Sequence, residues 1–309
     1  MDIIITKEME GLCLREIIHR ELEVSVKMLK YLKYRNEGIL VNGERRTVRF
    51  IPQVGDVLTL ETEDRTAQVL DAVDLPISVL YEDADIVVPN KPADMPTHPS
   101  HNHHGDTVAN ALAFRYQTAG VPFVFRPINR LDRNTSGLLL IARNKIAAGK
   151  LAKQMQAGEI RKAYLAVLDG EWQEERGIID APLHRTQESI IVREVCSPDA
   201  PDADSAKTEF EVLARENGHT LVMARPITGR THQLRVHFAH KGHPITGDDL
   251  YGTENNAIPR HALHARRLEF RHPTNGKSLA LTAPLPDDLK SLILTCFPQF
   301  CKADPTILS

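Results

Sequence analysis

The chain has 309 residues, 42% of them apolar and 26% charged, which is enough for two domains that fold without covalent staples. Lys and Arg number 38 against 41 Asp and Glu, and the formal net charge of -3 excludes an indiscriminate polyanion coat. No apolar run approaches the roughly 20 residues that cross a bilayer. The N-terminus Met1-Asp2-Ile3-Ile4-Ile5-Thr6-Lys7-Glu8 has no signal-peptide pattern. The four cysteines, Cys13, Cys196, Cys296 and Cys301, form no C-x-x-C pair and no disulfide framework. These features predict a cytoplasmic protein with idle thiols and no membrane attachment.

Residues 11 to 60 read as a compact unit inside a first domain of residues 1–70. Leu12 to Leu22 has helical apolar spacing. Ser25 is placed to N-cap a second helix, Val26 to Tyr34, whose polar side carries Lys27, Lys30, Lys33 and then Arg35 with no acid among them. Gly38 to Gly43 reads as a strand entering an Asn-Gly hairpin turn, followed by Arg45, Arg46 and Arg49. Val57 to Leu60 is the closing strand. Residues 61 to 76 are acidic and irregular and read as a linker.

The second domain spans residues 75–309. Val79 to Tyr81 and Ile86 to Val88 read as strands. Thr107 to Tyr116 reads as a helix with Asp106 as its cap. Arg126 to Gly137 is too polar for a core element and reads as a loop feeding a buried strand, Gly137 to Ala142. Asn144 caps a helix through Met155. Lys162 to Leu168, Thr208 to Leu213, His219 to Ala224 and Leu263 to Phe270 are strands, with a helix through Arg235 and His240 and a last helix from Pro286. Residues 196 to 206 read as an exposed loop. Strands and helices mix without strict alternation, so the pattern predicts an α+β fold with a mixed, largely antiparallel sheet.

Charge is sorted by segment. Arg126 to Lys162 holds nine basic and two acidic residues, whereas Glu171 to Glu211 holds eleven acidic and four basic ones. Arg225 to His243 holds four basic residues, four histidines and no acid. Such sorting fits a protein that grips phosphates at one face. Single stretches of this kind also occur as solvated helix faces; the three together favour a nucleic acid.

Two stretches carry chemistry. In Arg126-Pro-Ile-Asn-Arg-Leu-Asp-Arg-Asn-Thr-Ser-Gly137, one carboxylate, Asp132, sits among Arg126, Arg130 and Arg133. Nearby cations favour its ionised form, which suits nucleophilic or base chemistry on a polyanion. The same spacing also suits an aspartate that bridges arginines to fix a loop. In Thr228-Gly-Arg-Thr-His-Gln-Leu-Arg-Val-His237, Arg230, Leu234 and His237 fall at i, i+4 and i+7 on one helix face. This predicts Arg230 pointing inward while Arg235 faces elsewhere.

Asn129-Arg-Leu-Asp-Arg-Asn-Thr-Ser-Gly-Leu-Leu-Leu140 resembles the R-L-D loop of the RluA-type RNA pseudouridine synthases. Four more stretches resemble that family in the same order: Tyr81 to Pro92, Lys162-Ala-Tyr164, Thr228 to Arg235 with His243 to Gly252, and Leu263 to Pro273. The likeness spans residues 77 to 295. Residues 11 to 60 resemble, more loosely, an S-four-like RNA-binding module. The resemblance implies isomerisation of uridine to pseudouridine in ribosomal or transfer RNA by a monomer that needs no cofactor or metal. It implies Asp132 as nucleophile or base, Tyr164 stacking on the uracil and helping remove its carbon-5 proton, and Arg230 as the cation paired with Asp132. It places Arg130 beside the vacated base stack and Leu234 against the target base, with Arg133, Gln233 and Arg235 as further substrate contacts. Lys27, Lys30, Lys33, Arg35, Arg45 and Arg46 form the expected RNA face of the first module. Asn129 and Ala93 depart from the family's usual histidine and glycine, and activity is expected to survive both.

Other readings carry less. His98, His101, His103 and His104 crowd one loop, without cysteine or carboxylate at ligand spacing except Asp106. A retaining glycosidase needs two paired carboxylates, and only Asp248 or Asp249 offers a second. A non-catalytic RNA-binding protein on the same fold is the remaining alternative.

Overall fold

The structure, a computed structural model, describes residues 1–22, 24–61, 68–100, 103–253 and 257–308. A small antiparallel sheet is ordered Asp2–Ile4, Val57–Leu60, Ile39–Val41, Glu44–Arg45. Its first strand, only three residues long, lacks the length for a visible sequence pattern. Asn42 and Gly43 turn the hairpin at φ 50° and 80°, the left-handed conformations that this tight turn demands. The helix Val26–Lys33 starts where Ser25 Oγ accepts from Met28 N at 3.2 Å. Leu14, Ile17, Leu29, Leu32, Leu58 and Leu60 make this unit's own core. Ile146 belongs to the same cluster, and Lys145 Nζ lies 4.2 Å from the centre of the Tyr31 ring. The unit therefore docks on the helix Lys145–Gln156.

The predicted linker falls partly outside the described residues, at 62–67. Beyond it, Gln68 N donates to Phe123 O at 2.9 Å and Asn110 Nδ2 donates to Asp71 O at 2.7 Å. These bonds hold residues 68 to 71 against the larger unit.

That unit is built on a ten-stranded sheet. Eight strands run in the order Arg176–Asp180, Lys207–Glu216, His219–Pro226, Arg161–Asp169, Leu263–Arg271, Ser136–Leu138, Ile86–Lys91, Ser78–Glu82, while Ser278–Thr282 and Ile141–Ala142 pair at its side. All pairs are antiparallel except Leu263–Arg271 with Ser136–Leu138. At that parallel join Gly137 has φ 111°, and a Cβ there would lie 2.3 Å from Ala265 O, so only glycine fits. The apolar run Leu138 to Ala142 is covered on both faces, as its lack of alternation requires.

The structure corrects two local expectations and adds one element. Thr107, not Asp106, caps the helix Val108–Thr118 by a capping box with Asn110, and Asp106 instead meets His103 Nδ1 at 2.5 Å. The run Gly137 to Ala142 is two short strands, Ser136–Leu138 and Ile141–Ala142, both paired with Ile86–Lys91. An unanticipated two-stranded hairpin, Leu183–Arg185 with Arg193–Val195, stands apart from the main sheet.

Two core histidines give the fold an acid limit. Burial pushes the imidazoles of His261 and His264 down to about 3. The unfolded chain takes up these protons near the ordinary value of 6.5, so stability is full above that pH and is lost as pH falls towards 3. His264→Gln should flatten the loss between pH 6 and 4 by about 1 kcal/mol per pH unit. Urea unfolding followed by the fluorescence of Trp172, the one tryptophan, reads this slope. An unchanged slope would show that His264 is not held neutral.

Candidate active site

The loop from Arg126 to Thr135 enters the sheet at Ser136 and is braced from several sides. Lys91, fully buried at the end of its strand, donates from Nζ to Pro92 O at 2.8 Å, Met95 O at 2.7 Å and Arg133 O at 2.7 Å. Burial first, then Arg260, pushes this ammonium down to about 7, while Asp132 and Asp94 act in the opposite direction. Asn129 is buried, with Nδ2 donating to Leu138 O at 3.4 Å and Oδ1 accepting from Leu140 N at 2.8 Å. The amide thus ties the loop to its own strand, which explains how this position accepts asparagine. Thr97 Oγ1 donates to Leu131 O at 2.9 Å, Arg260 Nη1 donates to Asn134 O at 3.0 Å, and Thr135 Oγ1 meets His261 Nε2 at 2.9 Å.

The half-buried Asp132 stands on this loop and makes no side-chain hydrogen bond or ion pair among the described residues. It lines a cleft of about 880 Å³ together with Arg130, Tyr164, Leu234 and Arg235. Tyr164 lies opposite Ala265 on one neighbouring strand and Ala224 on the other, and these small partners leave its ring room. Burial, then the Asp132 charge, pushes the Tyr164 phenol well above its ordinary range, so it stays protonated at neutral pH. Lys162 also lines the cleft, its ammonium pushed down by burial and unpaired among the described residues.

The two arginines exchange their expected places. The helix Gln233–His240 begins after His232, which sits at φ 58°, so Arg230 precedes the helix and shares no face with Leu234. Arg230 instead lies at the rim of the cleft, where it binds Asp204 Oδ1 at 3.0 Å and Ser205 O at 3.2 Å. Arg235 is the buried cation. Its Nε and Nη2 meet Asp248 Oδ2 and Oδ1 at 2.7 and 2.6 Å, and Nη2 also meets Asp249 Oδ1 at 3.1 Å. Nη1 has no partner among the described residues. Burial works against the Arg235 charge, but the Asp248 hydrogen bond and charge, then Asp132, outweigh it and strengthen the hold on its proton. Asp248 is fully buried and committed to Arg235, so it provides no second glycosidase carboxylate.

Gln233 is occupied: Oε1 accepts from Thr228 Oγ1 at 2.7 Å and Arg230 N at 3.0 Å, and Nε2 donates to Lys207 O and Thr208 Oγ1 at 2.8 and 3.0 Å. It shapes the turn and has no donor left for substrate. Arg130 is exposed at the cleft without a partner among the described residues, and Arg133 pairs with Asp94 at 2.7 Å. In the first unit Lys27, Lys30 and Lys33 are exposed. Arg35 is spent on Glu61, with Nε–Oε2 at 2.6 Å, which removes it from the predicted RNA face. Arg46 pairs with Glu44 at 2.5 Å, and Arg45 meets Asn36 Oδ1 at 3.4 Å.

Among the described residues one trio brings metal-ligating groups together, Asp83, Asp85 and His272. His272 Nδ1 accepts from Thr274 N and Asn275 N, both at 3.2 Å, so its proton lies on Nε2, facing Asp83 Oδ2 at 2.8 Å. Tyr81 OH donates to the same oxygen at 2.7 Å. The trio is a hydrogen-bonded brace across the sheet.

Sequence reasoning missed Lys91, His232 and Asp248 as parts of the site. The signal for Lys91 was a lone cation closing the apolar strand Ile86–Lys91 just before Pro92. For Asp248 it was Gly-Asp-Asp following a helix with an arginine at its centre.

The chain resembles known proteins in sequence and in fold. The family model described as RNA pseudouridylate synthase matches residues 85–240. The chain is 37% identical over 274 residues to a Bacillus subtilis (strain 168) protein named uncharacterized RNA pseudouridine synthase YjbO, covering 88% of this chain and 95% of the relative. It is 36% identical over 272 residues to the ribosomal large subunit pseudouridine synthase D of Vibrio cholerae, covering 83% and 82%. Human RNA pseudouridylate synthase domain containing 1 superposes with a TM-score of 0.59 at 30% identity, over 70% of this chain and 86% of that one.

The brace around the loop predicts its own test. Lys91→Met would leave three carbonyls without their donor, at a cost of about 2 kcal/mol or more. The urea midpoint, read from Trp172 fluorescence, should fall accordingly; an unchanged midpoint would deny Lys91 its bracing role.

Proposed function

The chain belongs to the RNA pseudouridylate synthase family and converts uridine in RNA to pseudouridine, and we propose that the cleft around Asp132 is where it does so. The observation that carries this reading is the convergence of Asp132, Tyr164, Leu234 and Arg235 on one cleft. The reaction breaks the bond from ribose C1′ to uracil N1 and forms one from C1′ to C5. The C5 proton leaves and N1 gains one, so the product is an isomer. Asp132 acts at the ribose, as nucleophile on C1′ or base at C2′. A uridine inside folded RNA must first leave its stack, at a cost of a few kcal/mol. Tyr164 and Leu234 give the extruded uracil an aromatic and an apolar wall. Arg130, exposed and planar, is suited to occupy the vacated stack and to meet phosphate.

Arg235 takes the part expected of Arg230. Asp248 holds its Nε and Nη2, and the remaining Nη1 edge serves Asp132 and the substrate. A cation fixed in advance costs no reorganisation when charge develops.

The names of relatives favour large-subunit ribosomal RNA as substrate. We assign RNA binding also to a first domain of residues 1–70, through Lys27, Lys30 and Lys33, and catalysis to residues 75–309. The working enzyme is a cytoplasmic monomer that needs no metal or cofactor.

Mapping pseudouridine in total RNA from cells with and without the protein tests the substrate: a ribosomal site should vanish without it, and loss confined to transfer RNA would move the assignment there. Arg235→Ala should lower kcat by about 10²–10³-fold, whereas Arg230→Ala should stay within about tenfold of wild type. The reverse ranking in single-turnover assays would restore Arg230 as the paired cation.

A further inference from the structure

We propose that the hairpin Leu183–Arg185/Arg193–Val195 and the adjoining turn at Arg230 form a phosphate clamp that grips the RNA backbone beside the target uridine. The clamp rests on the reading of the neighbouring cleft as the uridine site.

Arg185 and Arg193 are direct cross-strand partners in this hairpin. Like charges placed opposite each other destabilise a strand pair, and among the described residues neither arginine has a carboxylate partner. The adjacent pair on the other face, His184 and Glu194, is complementary at 3.0 Å, so the hairpin does not lack acids in general. Arg193 is held in place: Nη1 donates to Ile191 O and Val192 O, both at 3.1 Å, and to Ile190 O at 3.4 Å. Both arginines line a pocket of about 330 Å³ with His184 and Arg230. Asp202 and Asp204 also line it, and Asp204 is engaged by Arg230 at 3.0 Å. An anion between Arg185 and Arg193 would relieve their repulsion, and two guanidinium groups suit a phosphate.

Position selects the source of that phosphate. Arg230 and Thr231 line both this pocket and the large cleft, so the two are continuous. A strand whose uridine lies in the cleft carries its next phosphodiesters past Arg230 towards the hairpin. The hairpin is also tied to the cleft floor. Arg193 N donates to Tyr251 OH at 2.9 Å, and that hydroxyl meets His232 Nδ1 at 2.8 Å. Arg230, displaced from the inward position expected of it, gains a use here.

The double variant Arg185→Gln, Arg193→Gln tests the clamp in the full chain. The probes are an unmodified large-subunit ribosomal RNA transcript for turnover and a fluorescent uridine-containing RNA stem-loop for binding. KM for pseudouridine formation should rise at least tenfold with kcat within twofold. The slope of log affinity against log salt should weaken by about 0.7 to 0.9 per lost phosphate contact. Arg185→Lys, Arg193→Lys should recover most of that slope, which a folding defect would not allow. An unchanged slope and KM would overturn the clamp, as would inorganic phosphate binding lost in the double variant while RNA affinity is kept. Absence of pseudouridine with the wild type would instead overturn the reading of the cleft, and the binding slope would still decide the clamp.

Discussion

The buried ammonium of Lys91 is the contact on which the site depends. Three carbonyls, two from the turn just after the strand and one from the loop, converge on one Nζ, and the last of them, Arg133 O, lies immediately after Asp132. A lysine shut away from water is tolerated only if its hydrogens are accepted, and here they are. Asn129 and Thr97 add bonds upstream, and Thr135 and Arg260 add them downstream. The loop then meets the sheet at Gly137, where Ala265 leaves no space for a side chain. The carboxylate is therefore carried by a braced segment even though it makes no bond of its own among the described residues. Such support holds the Asp132 carboxylate in position.

The second constraint is electrostatic. Arg235 and Asp248 form a two-point buried pair behind the cleft. Leaving either alone would strand a buried charge. The pair leaves one guanidinium edge unpaired among the described residues, in a wall that Asp132 also lines. Arg130 at the cleft and Lys27, Lys30 and Lys33 on the first unit remain exposed, while acids outnumber bases along residues 171 to 211 of the sequence. A total charge of -3 is thus compatible with an RNA-facing side.

Much of this was legible in the sequence, for identifiable reasons. The caps at Ser25 and Asn144, the Asn42-Gly43 turn and the long strands Arg161–Asp169 and Leu263–Arg271 follow local chemistry, and the structure repeats them. The Asp132 loop was legible because polar and turn-forming residues interrupt an apolar chain. The arginine exchange was not, because helical spacing assumes that the helix has already begun. His232 in the left-handed conformation and Gln233 bonded back to Arg230 N delay that start, and the delay turns Arg230 outward and Arg235 inward. Nor does the helix show an amphipathic pattern, since Gln233 to Phe238 are all buried. Arg35 was misread for a related reason: its partner Glu61 lies 26 residues away and meets it only through folding. Lys91 was hidden because a buried lysine is recognised by its partners, which are backbone atoms with no sequence signature.

The carboxylate on this braced loop is the group proposed to perform the isomerisation. The direct measurement is pseudouridine formed in unmodified ribosomal RNA by the purified wild type and by Asp132→Asn, with RNA affinity measured in parallel. The isomer is silent by mass, so it is counted by chemical mapping or by chromatography of the released nucleosides. Asp132→Asn should give no product and keep an RNA affinity within a few-fold of wild type. Product formation at near wild-type rate by that variant would contradict this role.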